Sequence, residues 1–278
     1  MVKKPESHYI HVHNMRLHYL DWEGTSSESI VLLHGIGDNA HIWDHVVSRL
    51  PEGIRVIAID QRGHGRSTWA VPPAYSCDDY VSDLDAVVNN LHLEDIILMG
   101  HSMGALHATR YASLRSDKVK GLIHADIEPC PPEWNKRYLH NLYHDLPTCY
   151  NSIEEYVRWM GTNSPHADQD LLYKIALFAI DREEDGTFKP QYDREVLYHF
   201  DRYDLRPCLG DIICPTLVIR GQESRVMSRQ AAEAMSGAIP EGRFVEIPEA
   251  SHPVHTDNPA GFQRAVYDFL KETTEIIP

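Results

Sequence analysis

Ser102 stands at the centre of the pentapeptide GHSMG, residues 100–104, which has the residue types of an activated serine nucleophile. A short apolar run over residues 95–99 comes directly before it, and a helical pattern over 103–114 follows. Glycines on both sides of a serine allow a sharp turn between strand and helix that holds the hydroxyl exposed. We therefore predict that Ser102 is a nucleophile on such a turn; the alternative is a structural glycine-rich turn with an ordinary serine.

A serine hydroxyl is a weak nucleophile, so the chain must also supply a base. His252 lies in the segment EIPEASHPVHTDNP, after a late strand pattern and before the final helix, from where its ring can reach back over a sheet. His255 is close by and competes for the role, and either histidine could instead be an ordinary exposed loop residue. We favour His252 because it directly follows small residues at the strand exit.

Hydrolysis at a carbonyl also requires N–H donors for the developing oxyanion. The residue after the nucleophile, Met103, can supply one backbone N–H. The HGIG segment at residues 34–37 follows a buried strand pattern and can turn another amide inward, and we expect this donor to be the N–H of Ile36. HGIG alone could be only a tight turn, but together with GHSMG it predicts an oxyanion hole.

Most of the chain alternates between strand and helix patterns, and these elements must position the candidate residues. Strand patterns cover 8–13 and 16–22 (a hairpin joined at Asn14), 29–35, 55–60, 95–100, 118–127, 215–221 and 243–248. Helical patterns cover 78–92, 103–114, 228–236 and 258–272. This alternation predicts an α/β fold with a mostly parallel, eight-stranded sheet covered by helices on both faces.

Residues 129–210 interrupt the alternation, because the strand pattern disappears after a Pro-rich break. Helical patterns near 135–145, 152–160, 168–180 and 193–200 take its place. We expect a core of residues 1–128 and 211–278 with a helical cap, or lid, of residues 129–210 inserted in it. Since sites in open α/β sheets lie beyond the carboxyl ends of the strands, a cap there would cover the site.

Five motifs together resemble the α/β-hydrolase superfamily across nearly the whole chain: LLHGIGDNAHIW, AIDQRGHGRS, GHSMG, PTLVIRG and SHPVHTDNP. The resemblance implies the fold of that superfamily, a lid above the site and a Ser–acid–His triad. AIDQRGHGRS contains no GK[ST] sequence, so we interpret it as a structural loop of that fold and not as a phosphate-binding loop.

The acid of the triad departs from the usual pattern. Members of the superfamily usually carry it as Gly-x-x-Asp after the strand that matches PTLVIRG, and here Ser224 holds that position. Some members, including a subgroup of haloalkane dehalogenases and a hydrolase branch of vitamin B6 breakdown, carry the acid one strand earlier, which here is Asp126. We favour Asp126, with Glu223 and Glu128 as alternatives; Asp126 could also be a structural carboxylate at a strand end.

The resemblance also narrows the reaction. Dehalogenases and epoxide hydrolases use an Asp nucleophile where this chain has Ser102, and dehalogenases place a halide-binding Trp where it has Met103. We expect a serine esterase-type enzyme that cleaves an ester, lactone or amide of a small, partly apolar molecule. The alternatives are a carbon–carbon bond hydrolase of a β-diketone-like compound, although HGIGDN lacks the longer oxyanion loop of that group, and a slow-turnover ligand receptor.

Aromatic residues are frequent in the predicted cap. Most of them would pack the cap onto the core, but a few could line an apolar substrate pocket. We single out Trp134, Tyr138 and Trp159 as candidate pocket residues. Arg137 and Arg158 could recognise an anionic substrate, although exposed helix faces carry such residues routinely.

Composition limits the partners. The chain has 278 residues and a formal net charge of −15, which disfavours nucleic acid and anionic membranes, so we expect a small-molecule substrate. Five widely spaced cysteines and the lack of an apolar leader favour a cytoplasmic protein, as a monomer or a homodimer. Histidines 8, 11, 13 and 18 lie in strand patterns without companion cysteines or HExxH, so we expect neither a metal nor another cofactor.

Overall fold

The computed structural model describes residues 4–134, 137, 141, 146–199 and 204–274. Its strands are β1 (Glu6–Val12), β2 (Met15–Trp22), β3 (Ser29–Leu33), β4 (Arg55–Ile59), β5 (Ile96–His101), β6 (Val119–Ala125), β7 (Ile180–Arg182), β8 (Phe188–Pro190), β9 (Thr216–Gly221) and β10 (Gly242–Ile247). Eight of them form one sheet in the order β1-β2-β4-β3-β5-β6-β9-β10. In this sheet, β4, β3, β5, β6, β9 and β10 are parallel to one another. Strands β1 and β2 are antiparallel and lie at one edge. The predicted eight-stranded, mostly parallel sheet is confirmed.

The helices of the described residues lie between and around these strands. They are α1 (Asp44–Val47), α2 (Cys77–Asn90), α3 (Met103–Leu114), α4 (Ile153–Asn163), α5 (Gln169–Ala179), α6 (Glu195–His199), α7 (Arg229–Ala238), α8 (Val254–Asp257) and α9 (Pro259–Thr273), with 3-10 turns at Ala40–Trp43 and Arg206–Asp211. No helix in this part of the chain is long and apolar enough to cross a bilayer.

Alternation along the central strands divides the hydrophobic core into two layers. In β3, Val31 and Leu33 belong to one buried cluster, whereas Ile30 and Leu32 belong to the other. Since side chains alternate across a strand, the two clusters lie on opposite faces of the sheet. Helices α2, α3 and α7 contribute buried residues to the first cluster and α9 to the second, so the sheet is covered on both faces.

The segment between β6 and β9 contains α4, α5 and α6 where the sequence predicts helices. The expectation that it contains no strand is wrong, because β7 and β8 form a short antiparallel hairpin around Gly186, whose φ is +88°. Three-residue strands are too short to show alternation in sequence, and the charged turn between them conceals the hairpin. The helix predicted near 135–145 lies largely outside the described residues. The division into core and cap at 129–210 stays a prediction.

Contacts with two loops place this segment at the carboxyl edge of the sheet. The side chain of Asn39, after β3, donates to the carbonyl of Phe178 at 2.7 Å. Ser251, after β10, donates its hydroxyl to the carbonyl of Asn163 at 3.2 Å. Both loops follow the carboxyl ends of their strands, so helices α4 and α5 extend over the edge from which Ser102 projects.

Candidate active site

Ser102 occupies the turn between β5 and α3. Its backbone φ is 53°, a value that residues other than glycine rarely adopt. The turn requires both flanking glycines. A Cβ on Gly100 would come within 2.3 Å of the carbonyl oxygen of Gly104, and one on Gly104 within 2.3 Å of the carbonyl oxygen of Leu33. Close backbone packing therefore holds the serine at the end of the helix, as expected of a nucleophile elbow.

His252 lies in the loop between β10 and α8 and reaches back over the sheet. Its Nε2 is 3.0 Å from Oγ of Ser102, and its Nδ1 is 2.8 Å from Oδ2 of Asp126. An ionised Asp126 can only accept, so Nδ1 carries a proton and Nε2 is available to accept from the hydroxyl. The three side chains form a continuous hydrogen-bond chain, although they come from three separate loops.

Asp126 directly follows β6, has a φ of 57° and is fully buried. Its Oδ1 accepts from the backbone N–H of Gly221 at 2.9 Å, and its Oδ2 accepts from the hydroxyl of Ser224 at 2.5 Å. A buried carboxylate must be compensated by donors. Here β9, the neighbouring strand, and the loop after it provide these donors.

The two alternative acids bind other partners. Glu223 is half exposed and pairs with His166 at 2.9 Å. Glu128 accepts from the backbone N–H and the hydroxyl of Ser228, the residue that caps α7. The structure therefore brings neither of these glutamates to the ring of His252.

The competing histidine, His255, is buried in α8 with its ring against Trp43. Burial holds the pKa of His255 well below its usual range, and the neighbouring histidines His101 and His45 lower it further. His101, next to Ser102, is likewise buried, and desolvation holds its pKa well below the ordinary value. These rings are neutral at neutral pH, and each packs beside the hydrogen-bond chain.

The two predicted oxyanion donors lie on either side of the elbow. Met103 is the first residue of α3, and Ile36 lies in the loop after β3 and lines the cavity beside Ser102. This loop packs closely on the nucleophile, since a Cβ on Gly35 would stand 3.2 Å from Cβ of Ser102.

A cavity of about 440 Å³ opens in front of Ser102 and His252. Its walls include Tyr156, Trp159 and Met160 from α4 and Leu172 from α5. Of the candidate pocket residues, Trp159 lines this cavity. Trp134 is 48% exposed and is not among the described residues of the lining, and Tyr138 lies outside the described residues. Arg137 and Arg158 are exposed and likewise absent from the described lining.

Asp38 is a cavity residue that the sequence analysis does not identify. Desolvation raises the pKa of Asp38 to about 7, although the charge of His252 and a hydrogen bond from the backbone of Gly35 act in the opposite direction. In the sequence, Asp38 directly follows the HGIG segment that contains Ile36, and this position is the only indication that it lies near the site. Its ionisation depends on burial, which the motif alone does not reveal.

Comparison with known proteins identifies relatives across the length of the chain. It is 26% identical over 251 residues to the 2-(acetamidomethylene)succinate hydrolase of Mesorhizobium japonicum, covering 89% of this chain and 90% of that protein. It is 27% identical over 259 residues to the pimeloyl-[acyl-carrier protein] methyl ester esterase of Yersinia enterocolitica, covering 90% and 96%. A putative carbamate hydrolase of Serratia proteamaculans is 23% identical over 255 residues, covering 88% and 91%.

Solved structures show the same fold. The crystal structure of an E-2-(acetamidomethylene)succinate hydrolase matches with a TM-score of 0.88 at 24% identity, covering 96% of this chain and 99% of the other. A family model described as alpha/beta hydrolase fold matches residues 28–259. On this match, which spans most of the chain, the protein belongs to the α/β-hydrolase family.

Proposed function

We propose that this hydrolase cleaves a carboxylic ester, lactone or amide bond of a small, partly apolar molecule through an acyl-enzyme formed on Ser102. The observation that carries the proposal is the hydrogen-bond chain from Asp126 through His252 to Ser102, with contacts of 2.8 and 3.0 Å, at the wall of a cavity. A serine, an imidazole and a buried carboxylate in this order form the arrangement that activates a hydroxyl for attack on a carbonyl.

In the first half of the reaction, Oγ of Ser102 attacks the carbonyl carbon while Nε2 of His252 takes its proton. The N–H groups of Ile36 and Met103 stabilise the negative charge that develops on the carbonyl oxygen. Asp126 stabilises the imidazolium and keeps its Nδ1 proton in place. The carbonyl then re-forms, and the leaving group departs with the proton that His252 returns to it.

In the second half, His252 takes a proton from water, and the resulting hydroxide equivalent attacks the acyl carbon. The second tetrahedral intermediate uses the same two N–H donors. When it collapses, Ser102 leaves with the proton and the carboxylic acid product is released. Every proton is carried by one imidazole, and no metal or organic cofactor takes part in this scheme.

Residues 129–210 act as a cap in this proposal. Helix α4 contributes Tyr156, Trp159 and Met160 to the cavity, opposite the loops that carry Ser102 and His252. These three side chains give that wall an aromatic and apolar part, beside the polar Thr162 and Asn163, and this part favours an acyl or alcohol group with apolar surface. The relatives whose names specify methyl esters and carbamates support bonds of the ester and carbamate type as substrates.

The experiment that tests this function is a screen of p-nitrophenyl esters of graded acyl length beside lactones, amides and carbamates. We expect turnover of at least one ester series and its loss in Ser102→Ala. Product analysis on a β-diketone separates carbon–carbon cleavage from ester hydrolysis. Failure to turn over any substrate while a ligand binds in the cavity would favour the receptor alternative and contradict the proposal.

A further inference from the structure

The peptide group between Gly35 and Ile36 is held from its carbonyl side. Nδ1 of His34 lies 2.7 Å from the carbonyl oxygen of Gly35, which also accepts a longer hydrogen bond from the backbone N–H of Asp38 at 3.3 Å. That carbonyl and the N–H of Ile36 belong to one planar peptide group, and they point in opposite directions from it. A hydrogen bond that fixes the carbonyl therefore fixes the direction of the N–H proposed as an oxyanion donor.

The proton of His34 is assigned by the hydrogen bond on the other side of its ring. The backbone N–H of Gln61 donates to Nε2 of His34 at 3.0 Å. An acceptor nitrogen carries no proton in a neutral imidazole, so Nδ1 is the protonated nitrogen and donates to Gly35. The ring is fully buried, and desolvation lowers the pKa of His34, which keeps it neutral.

Gln61 holds His34 at a second point. Its side-chain Nε2 donates to the backbone carbonyl of His34 at 2.7 Å, and its Oε1 accepts from Nδ1 of His107 at 2.7 Å. His107 is itself fully buried in α3, the helix that begins at the elbow. Three elements thus meet: the end of β3, the loop after β4 and helix α3.

We infer that Gln61 is a positioning residue that, anchored on His107, orients His34 and through it the Gly35–Ile36 peptide toward the oxyanion. The inference rests on the proposed function and deepens it, because it assigns a role to the AIDQRGHGRS loop. Oxyanion donors are effective only when they are aligned before the charge develops, and loss of one such donor costs about 10²–10³ in rate. Loosening a donor while leaving it in place costs less, and we expect about 10–100-fold.

The test uses a fluorophosphonate, whose reaction with a serine develops negative charge on the phosphoryl oxygen and needs no knowledge of the natural substrate. Gln61→Met preserves the size of the side chain and removes its two polar contacts. We expect the maximal rate of phosphonylation of Ser102 to fall about 10–100-fold while the concentration for half-maximal rate changes less than about twofold. If Gln61 had only a structural role, its replacement would not lower the maximal rate while leaving the half-maximal concentration nearly unchanged.

Tyr75→Phe is the matched control, because it likewise removes two buried polar contacts, here outside the oxyanion loop: the hydroxyl donates to Asp193 at 2.5 Å and accepts from the N–H of Ala70 at 3.0 Å. It should lower the melting temperature without slowing phosphonylation. Equal rates in folded Gln61→Met and Tyr75→Phe would overturn the inference. If wild-type Ser102 is not labelled at all, the proposed function fails instead, so the two failures are distinguishable.

A second pair of variants decides the matter if Gln61→Met does not fold. The side-chain amide of His34→Asn can place an N–H near the position of Nδ1, whereas that of His34→Gln extends toward the position of Nε2. We expect His34→Asn to phosphonylate at least about fivefold faster than His34→Gln. Equal maximal rates in this pair would overturn the role of the contact with Gly35.

Discussion

The hydroxyl of Ser224 donates a 2.5 Å hydrogen bond to Oδ2 of Asp126, the same oxygen that lies 2.8 Å from Nδ1 of His252. Ser224 occupies the position where members of the superfamily usually carry the acid, and Asp126 occupies the alternative position one strand earlier. Strands β6 and β9 are parallel neighbours, so both positions open at one point of the sheet edge. The hydroxyl at the usual acid position thus donates to the carboxylate that we propose as the acid.

This relationship predicts that Asp126→Asn lowers kcat about 10³–10⁴-fold with little change in KM, because the amide can no longer stabilise the imidazolium. Glu223→Gln should cost less than about tenfold, because Glu223 pairs with His166. Both variants are measured on one ester, with folding checked by circular dichroism. A folded Asp126→Asn near the wild-type rate beside an inactive Glu223→Gln would reverse the assignment.

A carboxylate introduced after β9 should also be able to replace the one after β6. In the double variant Asp126→Asn with Ser224→Asp, the new carboxylate starts from the residue that now contacts Asp126, so it can approach the ring of His252. We expect kcat to recover at least about tenfold over Asp126→Asn alone. Ser224→Ala is the control, and it should lose activity by about tenfold or less because one donor to the carboxylate is missing. No recovery in a folded double variant would show that the two positions are not interchangeable.

Ser102→Ala should abolish turnover and fluorophosphonate labelling while leaving the fold intact. The hydroxyl contributes to covalent catalysis, and its removal leaves the tight backbone of the turn unchanged. Turnover is followed on an ester and labelling by mass spectrometry, with wild-type protein as the control. Labelling that persists at the wild-type level would identify another serine as the nucleophile.

The position of Trp159 in the cavity wall predicts an effect on substrate selection. Trp159→Ala should change relative kcat/KM across a series of acyl lengths by about tenfold, because the enlarged cavity removes contacts from short chains and admits longer ones. Trp134→Ala is a matched control, since this tryptophan is 48% exposed and lies outside the described lining. Identical acyl profiles for wild type and Trp159→Ala would place the selecting surface elsewhere.

Asp38 predicts a dependence on pH that distinguishes charged from neutral substrates. Desolvation raises the pKa of Asp38 to about 7, so a carboxylate forms in the cavity above that pH. The kcat/KM of an anionic ester should therefore fall about three- to tenfold, relative to a neutral ester of equal size, between pH 6 and pH 8. Taking the ratio of the two esters cancels any effect of pH on the catalytic steps that both esters share. Asp38→Asn should make the ratio independent of pH; an unchanged dependence in this variant would assign it to another group.

The burial of His124 leads us to expect a lower free energy of unfolding at acidic pH. Its Nδ1 contacts the hydroxyl of Thr109 at 2.7 Å and its Nε2 the carbonyl of Ile127 at 2.7 Å, and burial lowers the pKa of His124 to about 4. The unfolded chain binds this proton near pH 6.5, so the stabilisation is present above that pH and is lost as the pH falls toward 4. Between pH 7.5 and pH 5.0 the loss from this residue is about 2 kcal/mol.

Urea unfolding at these two pH values measures the effect. In His124→Gln the neutral amide does not titrate, so the difference in unfolding free energy between the two pH values should be smaller than in wild type by about 2 kcal/mol. The other buried histidines contribute to both proteins and cancel in the comparison. The same pH dependence in both proteins would contradict the lowered pKa.

The sequence alone determines the features that depend on local geometry. GHSMG between a strand and a helix predicts the turn that presents Ser102, because only glycines permit its close backbone contacts. Short continuous apolar runs predict the central strands, because a strand buried on both faces needs apolar side chains on both. The sequence also favours His252 over His255, because His252 directly follows the small residues at the exit of a late strand pattern.

Only the tertiary structure decides which distant side chains meet. The sequence leaves Asp126, Glu223 and Glu128 as possible acids, because the spacing along the chain does not reveal which carboxylate points toward His252. The structure places Asp126 against His252, since β6 and β9 are adjacent, and the end of β9 and the loop after it supply donors to the buried carboxylate. In the same way, Trp159 and Trp134 are equivalent in sequence, but α4 carries Trp159 into the cavity wall. The raised pKa of Asp38 likewise arises from desolvation beside the cavity, which exists only in the folded protein.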